Sequence, residues 1–159
     1  MTRVVDIADM IVSSSPDDVL VTYSLGSCVG VTLYDPDAGV GAMIHCMLPL
    51  SKIDRAKAES KPFMFVDTGV SRLIQAVFDL GAQRSNLTCK VAGGASLLDA
   101  KKMFKIGERN YTVLRKILWK NDILIDAEDV GGQSPRTMYL YMATGKTTLK
   151  VQGEETELG

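Results

Sequence analysis

Apolar and polar positions change period along this chain of 159 residues, and the changes mark out its elements. Val4 to Val12 is apolar enough for a strand, and Ser13-Ser14-Ser15-Pro16-Asp17-Asp18 is a turn cluster. Val19 to Tyr23 reads as a buried strand, and Val29 to Tyr34 and Val40 to His45 as two more, rich in β-branched residues. From Val66 the period becomes helical: Val66, Val70, Leu73, Ile74, Val77 and Phe78 share one face, and Gly81 is a stop. Asp67 stands near the start of that helix, where its carboxylate is expected to cap free amides. Leu87 to Ala92 returns to strand. Ile106 opens a second helix with an apolar stripe of Tyr111, Leu114, Ile117 and Leu118. Ile123 to Glu128 is a strand candidate, Arg136 to Met142 and Thr147 to Val151 form a closing hairpin, and Gly153 onward is expected to fray. Many strands with two clear helices indicate an α+β fold. No repeat or linker divides the chain, so residues 1–159 are expected to form one domain.

Two stretches break the alternation. Residues 50–62 are polar and rich in lysine and offer little to a core. Composition makes them a solvated connecting loop, while their place directly after His45 favours a mobile flap. Asp35-Pro36-Asp37-Ala38-Gly39 carries turn chemistry, with proline suited to a first central position and glycine to a left-handed one. A four-residue loop over Pro36–Gly39 sets Asp35 against Val40 and Gly30 against His45. Cys28 then shares a face with His45 as its diagonal neighbour, about 7–8 Å away at the backbone. A slip of one residue would separate the pair.

Composition narrows the function classes. An apolar content of 46% and a net charge of −1 describe a globular protein without the basic surplus of a nucleic-acid binder. The opening Met1-Thr2-Arg3-Val4-Val5-Asp6 lacks the apolar core of a signal peptide, and no apolar run suits a membrane span. A cytoplasmic location is therefore expected, with any membrane association through a partner. Cys28, Cys46 and Cys89 lack zinc-ligand spacing, so no metal site and no cofactor is expected, and reduced thiols are the simpler account.

The candidate chemistry gathers at Thr22-Tyr23-Ser24-Leu25-Gly26-Ser27-Cys28 and at His45, the only histidine. A cysteine attacks as thiolate, and an imidazole can take its proton near neutral pH. By composition such a pair is more often core cysteine and core histidine; register and motif give it weight. An activated Cys28 is expected to alkylate below the ordinary thiol value of about 8.5. Cys89 reads as a core or strand residue. Gly93-Gly94 after a strand lacks the lysine of a P-loop and the spacing of a nucleotide fingerprint. It marks close approach of another backbone, which beside a reactive cysteine could admit a substrate helix.

Thr22-x-x-Leu25-Gly26-Ser27-Cys28-Val29 followed by His45-x-Met47-Leu48-Pro49 resembles the chemoreceptor glutamine deamidases of bacterial chemotaxis, the CheD family. Ala92-Gly93-Gly94-Ala95, Ile106-Gly107-Glu108-Arg109-Asn110 and Asp129-Val130-Gly131-Gly132 with Arg136 look like that family's later motifs, in order. Leu97-Leu98 and Gln133-Ser134-Pro135 depart from its usual residues. The resemblance implies two mixed β-sheets packed face to face with helices outside, similar to the catalytic domain of deamidating toxins. It also implies deamidation of receptor glutamines through a thioester, with Cys28 as nucleophile, His45 as proton carrier and Thr22 orienting the imidazole. Gly26, Ser27, Gly93 and Gly94 are the candidate oxyanion and substrate-binding positions. The implied partners are the cytoplasmic helices of chemoreceptors and a CheC-type phosphatase. The alternatives are a non-catalytic regulatory partner of that phosphatase, or a receptor glutamyl methylesterase.

Overall fold

The hairpin forms in the register that its turn chemistry dictates. In the computed structural model, which describes residues 1–96 and 105–159, strands β4 (Val29–Asp35) and β5 (Val40–Cys46) pair from Asp35↔Val40 through Gly30↔His45. The Asp35 carboxylate accepts from the N–H groups of Asp37 and Ala38 at 2.8 and 3.0 Å, and Gly39 N–H returns to the Asp35 carbonyl at 2.9 Å. Those bonds fix the loop length, and the loop length fixes the faces. Leu97 and Leu98 lie outside the described residues.

Ten strands are described, in two mixed sheets of five. The remaining ones are β1 (Thr2–Val4), β2 (Asp9–Ser13), β3 (Val19–Leu25), β6 (Thr88–Gly93), β7 (Ala127–Val130), β8 (Arg136–Tyr141), β9 (Lys146–Val151) and β10 (Glu154–Glu157). One sheet runs β1-β3-β8-β9-β10 and the other β2-β5-β4-β6-β7. The β1–β3 and β6–β7 pairs are parallel and the rest antiparallel.

Each strand of the central hairpin sorts its side chains by alternation. Val29, Val31, Leu33, Val40, Ala42, Ile44 and Cys46 face a core shared with the helices α2 (Val66–Asp79) and α3 (Ile106–Lys120). The opposite face, carrying Gly30, Met43 and His45, looks toward the other sheet. There Leu20, Leu25, Met138, Leu140 and Leu149 pack with Met43 and Ala92. The gap between sheets also holds a Thr32–Thr147 hydroxyl pair at 2.9 Å. A Cβ on Gly30 would lie 2.8 Å from a Leu25 methyl and 3.0 Å from the Met138 sulfur, so glycine lets the sheets close at that point. The α+β class and the face-to-face sheets are present, and both long helices lie on the second sheet.

Several local expectations give way to tertiary context. The apolar opening is two strands, β1 and β2, in different sheets. The last residues do not fray: Glu154–Glu157 pair antiparallel with β9, and Leu158 N–H reaches the Thr147 carbonyl at 2.9 Å. Ile123 to Asp126 lie outside any strand, and β7 starts at Ala127. Residues 50–62 hold a 3-10 turn at Ser51–Ile53 and the helix α1 (Arg55–Ser60), with Asp54 accepting from the Lys57 N–H at 3.0 Å. Asp67 accepts from the Thr68 N–H at 2.9 Å, a free amide of its own helix start, and reaches beyond that helix as well. It binds the Ser51 hydroxyl at 2.8 Å and the Ser51 N–H at 3.0 Å, tying the segment after His45 to α2. No helix among the described residues is long and apolar enough to cross a membrane.

Candidate active site

Thr22 and His45 meet across the gap between the sheets. Thr22 comes from β3 of the first sheet, His45 from β5 of the second, and both are fully buried. The Thr22 Oγ1 lies 2.7 Å from His45 Nδ1 and donates to the Val5 carbonyl at 2.6 Å. A hydroxyl carries one proton. With that proton on Val5, Oγ1 can only accept from the imidazole, so Nδ1 carries the ring proton and Nε2 presents a lone pair. His45 Nε2 is buried and has no hydrogen-bond partner among the described residues. The β3 strand bulges directly after Thr22, where its pairing with β8 shifts register and Ser24 takes a φ of 58°. That irregularity turns the chain into the Gly26-Ser27-Cys28 loop.

Cys28 sits at the mouth of β4, packed against the inter-sheet core on the same face as His45. No hydrogen bond joins its thiol to the imidazole, since Nδ1 is engaged by Thr22 and Nε2 has no partner. The loop before it is held through its carbonyls. Gly26 O accepts from Ala95 N–H at 2.8 Å, Ser27 O from the Asn110 amide at 2.9 Å, and Cys28 O from Gly94 N–H at 2.8 Å. Neither the Ser27 nor the Cys28 N–H donates to a backbone acceptor among the described residues.

Gly93 and Gly94 act here on the backbone of Cys28. Gly93 has φ 106°, and a Cβ there would fall 2.2 Å from the Cys28 carbonyl oxygen. The Gly94 N–H is already taken by that carbonyl, so it is not free to receive an oxyanion. Two further residues support this region. Asn110, on the buried face of α3, also donates to the Met47 carbonyl at 2.9 Å. Arg136 is buried and binds the Gly131 carbonyl at 2.8 Å and Asp129 Oδ1 at 3.1 Å, beside Gly93. Sequence reasoning assigned neither a role. For Asn110 a signal existed, because it falls on the helical stripe Gly107-Asn110-Leu114-Leu118 that is buried. A polar residue at a core position needs partners.

Burial sets the protonation states. It pushes the Cys28 thiol above its ordinary value, and the nearby Cys28 N–H offsets this only in part. Burial also lowers His45 from 6.5 to about 4. The resting pair is therefore a neutral thiol and a neutral imidazole, not the pre-formed thiolate expected from sequence. Such a pair can transfer a proton at the moment of attack. Cys46 and Cys89 are buried free thiols on the other face of the second sheet, and burial holds Cys89 up at about 12. Downstream of Met47, a groove of about 280 Å³ opens between Pro49 and Leu50 and the Lys105, Glu108 and Arg109 side of α3.

Comparison with known proteins agrees with the motifs. A profile of the family described as CheD chemotactic sensory transduction matches residues 47–151. A protein of Solibacter usitatus named probable chemoreceptor glutamine deamidase CheD is 47% identical over 155 residues, covering 98% of this chain and 92% of its own. A Syntrophus aciditrophicus protein of similar name is 47% identical, covering 94% of each chain. A Pyrococcus horikoshii protein, also named a probable chemoreceptor glutamine deamidase, is 41% identical over 83% of this chain and 82% of its own. Over nearly its whole length, with the cysteine loop, the histidine strand and the later glycine motifs in order, the chain belongs to the CheD family.

Proposed function

We propose that this protein hydrolyses the carboxamide of selected glutamines on the cytoplasmic helices of chemoreceptors, leaving glutamate and releasing ammonia. The observation that carries the reading is the Thr22 contact with His45 Nδ1, which leaves a bare Nε2 on the face that Cys28 shares. The names of its relatives, probable chemoreceptor glutamine deamidases, support the substrate.

The steps follow from the atoms present. His45 Nε2 takes the thiol proton as Cys28 Sγ bonds to the glutamine carbonyl carbon. The developing oxyanion receives the Cys28 N–H, in a loop that Gly26 and Ser27 shape. The imidazolium then returns its proton to the nitrogen, the carbon–nitrogen bond breaks, and ammonia leaves a thioester. Water, deprotonated by Nε2, attacks the thioester and frees the thiol with a glutamate carboxylate. Gly93 and Gly94 keep the Cys28 carbonyl in place throughout. A neutral hydroxyl as orienter gives the imidazolium less support than a carboxylate would, which suits a slow modifying enzyme. No metal or organic cofactor enters the sequence of steps.

The product adds a negative charge to a helical bundle whose packing depends on charge repulsion. The enzyme accordingly works in the cytoplasm, and a CheC-type phosphatase is its proposed regulatory partner. The test is mass spectrometry of a receptor cytoplasmic fragment before and after incubation. Conversion of glutamine to glutamate by the wild type, absent with Cys28→Ala, is the expected result. A wild-type protein that leaves every receptor glutamine intact overturns the reading.

A further inference from the structure

We infer that Asn110 is a positioning residue that aims the Cys28 N–H at the developing oxyanion, a role that rests on the proposed deamidase reading. The peptide unit between Ser27 and Cys28 governs where that N–H points. In a trans peptide the carbonyl and the following N–H point in opposite directions within one plane. Whatever fixes the Ser27 oxygen therefore fixes the direction of the Cys28 hydrogen. That oxygen is held by Asn110 Nδ2 at 2.9 Å. The carbonyls on either side, of Gly26 and Cys28, are held by backbone N–H groups. Asn110 is thus the one side chain in a row of three anchors, and the anchor of the peptide that carries the proposed oxyanion donor.

The second amide hydrogen of Asn110 reaches the Met47 carbonyl, also at 2.9 Å. Met47 lies two residues after His45 on the chain leaving β5. One carboxamide therefore ties the residue before the nucleophile to the exit of the histidine strand. The side chain is fully buried, and its Oδ1 has no partner among the described residues. The two buried side-chain polar atoms without partners among the described residues are this oxygen and His45 Nε2. Leaving a buried acceptor unpaired disfavours folding. A serine would fill a core position at lower penalty but could not hold two carbonyls at once, because it has one donor. Holding Ser27 O also polarises the peptide, which makes its N–H a better donor.

The experiment compares wild type, Cys28→Ala, Asn110→Ser and Asn110→Asp on the receptor fragment, reading ammonia release together with alkylation of Cys28 by iodoacetamide. Alkylation forms no oxyanion, so it reports on the thiol and not on the amide direction. Removing an oxyanion donor outright lowers kcat by about 10²–10³, so misdirecting one is expected to cost about 10- to 100-fold. The inference predicts that loss in kcat for Asn110→Ser, with KM and alkylation rate as in wild type. Asn110→Asp keeps the shape and replaces two amide donors with at most one hydroxyl, so it too cannot hold both carbonyls, and gives the same result should the serine variant not fold. An Asn110 variant that keeps wild-type kcat overturns the role. So does one whose alkylation rate falls in step with kcat, because that marks general collapse of the loop. Failure of the underlying reading looks different: the wild type itself then releases no ammonia, and the Asn110 role falls with it.

Discussion

The Thr22 hydroxyl stands between the Val5 carbonyl and the His45 imidazole, 2.6 Å from the one and 2.7 Å from the other. Its single proton goes to the carbonyl, so it reads out the tautomer of a ring on the opposite sheet. Thr22→Val keeps the shape and removes the hydroxyl. Loss of the buried bond, with Val5 O left unpaired, is expected to lower stability by about 1–3 kcal/mol in urea unfolding. The freed ring populates the wrong tautomer, and kcat for deamidation is expected to fall by about 10²-fold, the lower end of a general base's contribution. Thr22→Ser keeps the hydroxyl and should recover most of the activity.

His45 links stability to pH with a definite sign. Its folded-state value is lowered by burial to about 4, against its ordinary 6.5. Between these values the unfolded chain binds the proton and the folded chain does not. Stability therefore rises with pH through that window and is lost as pH falls from 6.5 toward 4. A shift of this size corresponds to about 3 kcal/mol at most. Urea titrations across that range should show the slope in wild type and a flatter profile in His45→Asn.

The same burial predicts how the thiol behaves in the free protein. Cys28 is raised above its ordinary value, first by desolvation. Its alkylation by iodoacetamide should keep rising with pH beyond the ordinary thiol value of about 8.5. A plateau near pH 7 would reveal a stable thiolate and contradict the neutral resting pair.

Gly93→Ala should be among the most damaging single changes in the chain. The backbone there has φ 106°, and the added Cβ would lie 2.2 Å from the Cys28 carbonyl oxygen. Strain in that backbone region alone is worth about 1–3 kcal/mol. The clash displaces Cys28 as well, so circular dichroism should show a lower Tm and the receptor assay a lower kcat. Gly39→Ala, also left-handed but with open space around it, should cost stability and leave activity intact.

Local chemistry made the hairpin readable. Asp35, Pro36 and Gly39 specify a loop length, and that length alone sets Gly30 against His45 and Cys28 on the imidazole's face. The helix at Val66 was equally plain from its period. What could not be read were relations between distant segments. Nothing near Thr22 states that its partner lies in the other sheet, and only the family resemblance pointed to it. The Glu154–Glu157 strand has no apolar face and exists because β9 offers an edge. Asp67 binds an amide of its own helix start, as its position suggests, but nothing local shows that Ser51, 16 residues away, is its second partner. The thiol's state differs from the expectation because composition does not show that Cys28 and His45 are both desolvated.

The imidazole and its hydroxyl partner are mounted on separate layers. A sideways creep of one layer past the other, by less than the width of an atom, would unlatch the ring while every strand stayed paired. The oily filling between the layers, Leu20, Met43, Met138 and Leu140 among it, consequently sets the alignment of Thr22 and His45. Thinning it should silence the protein before it melts.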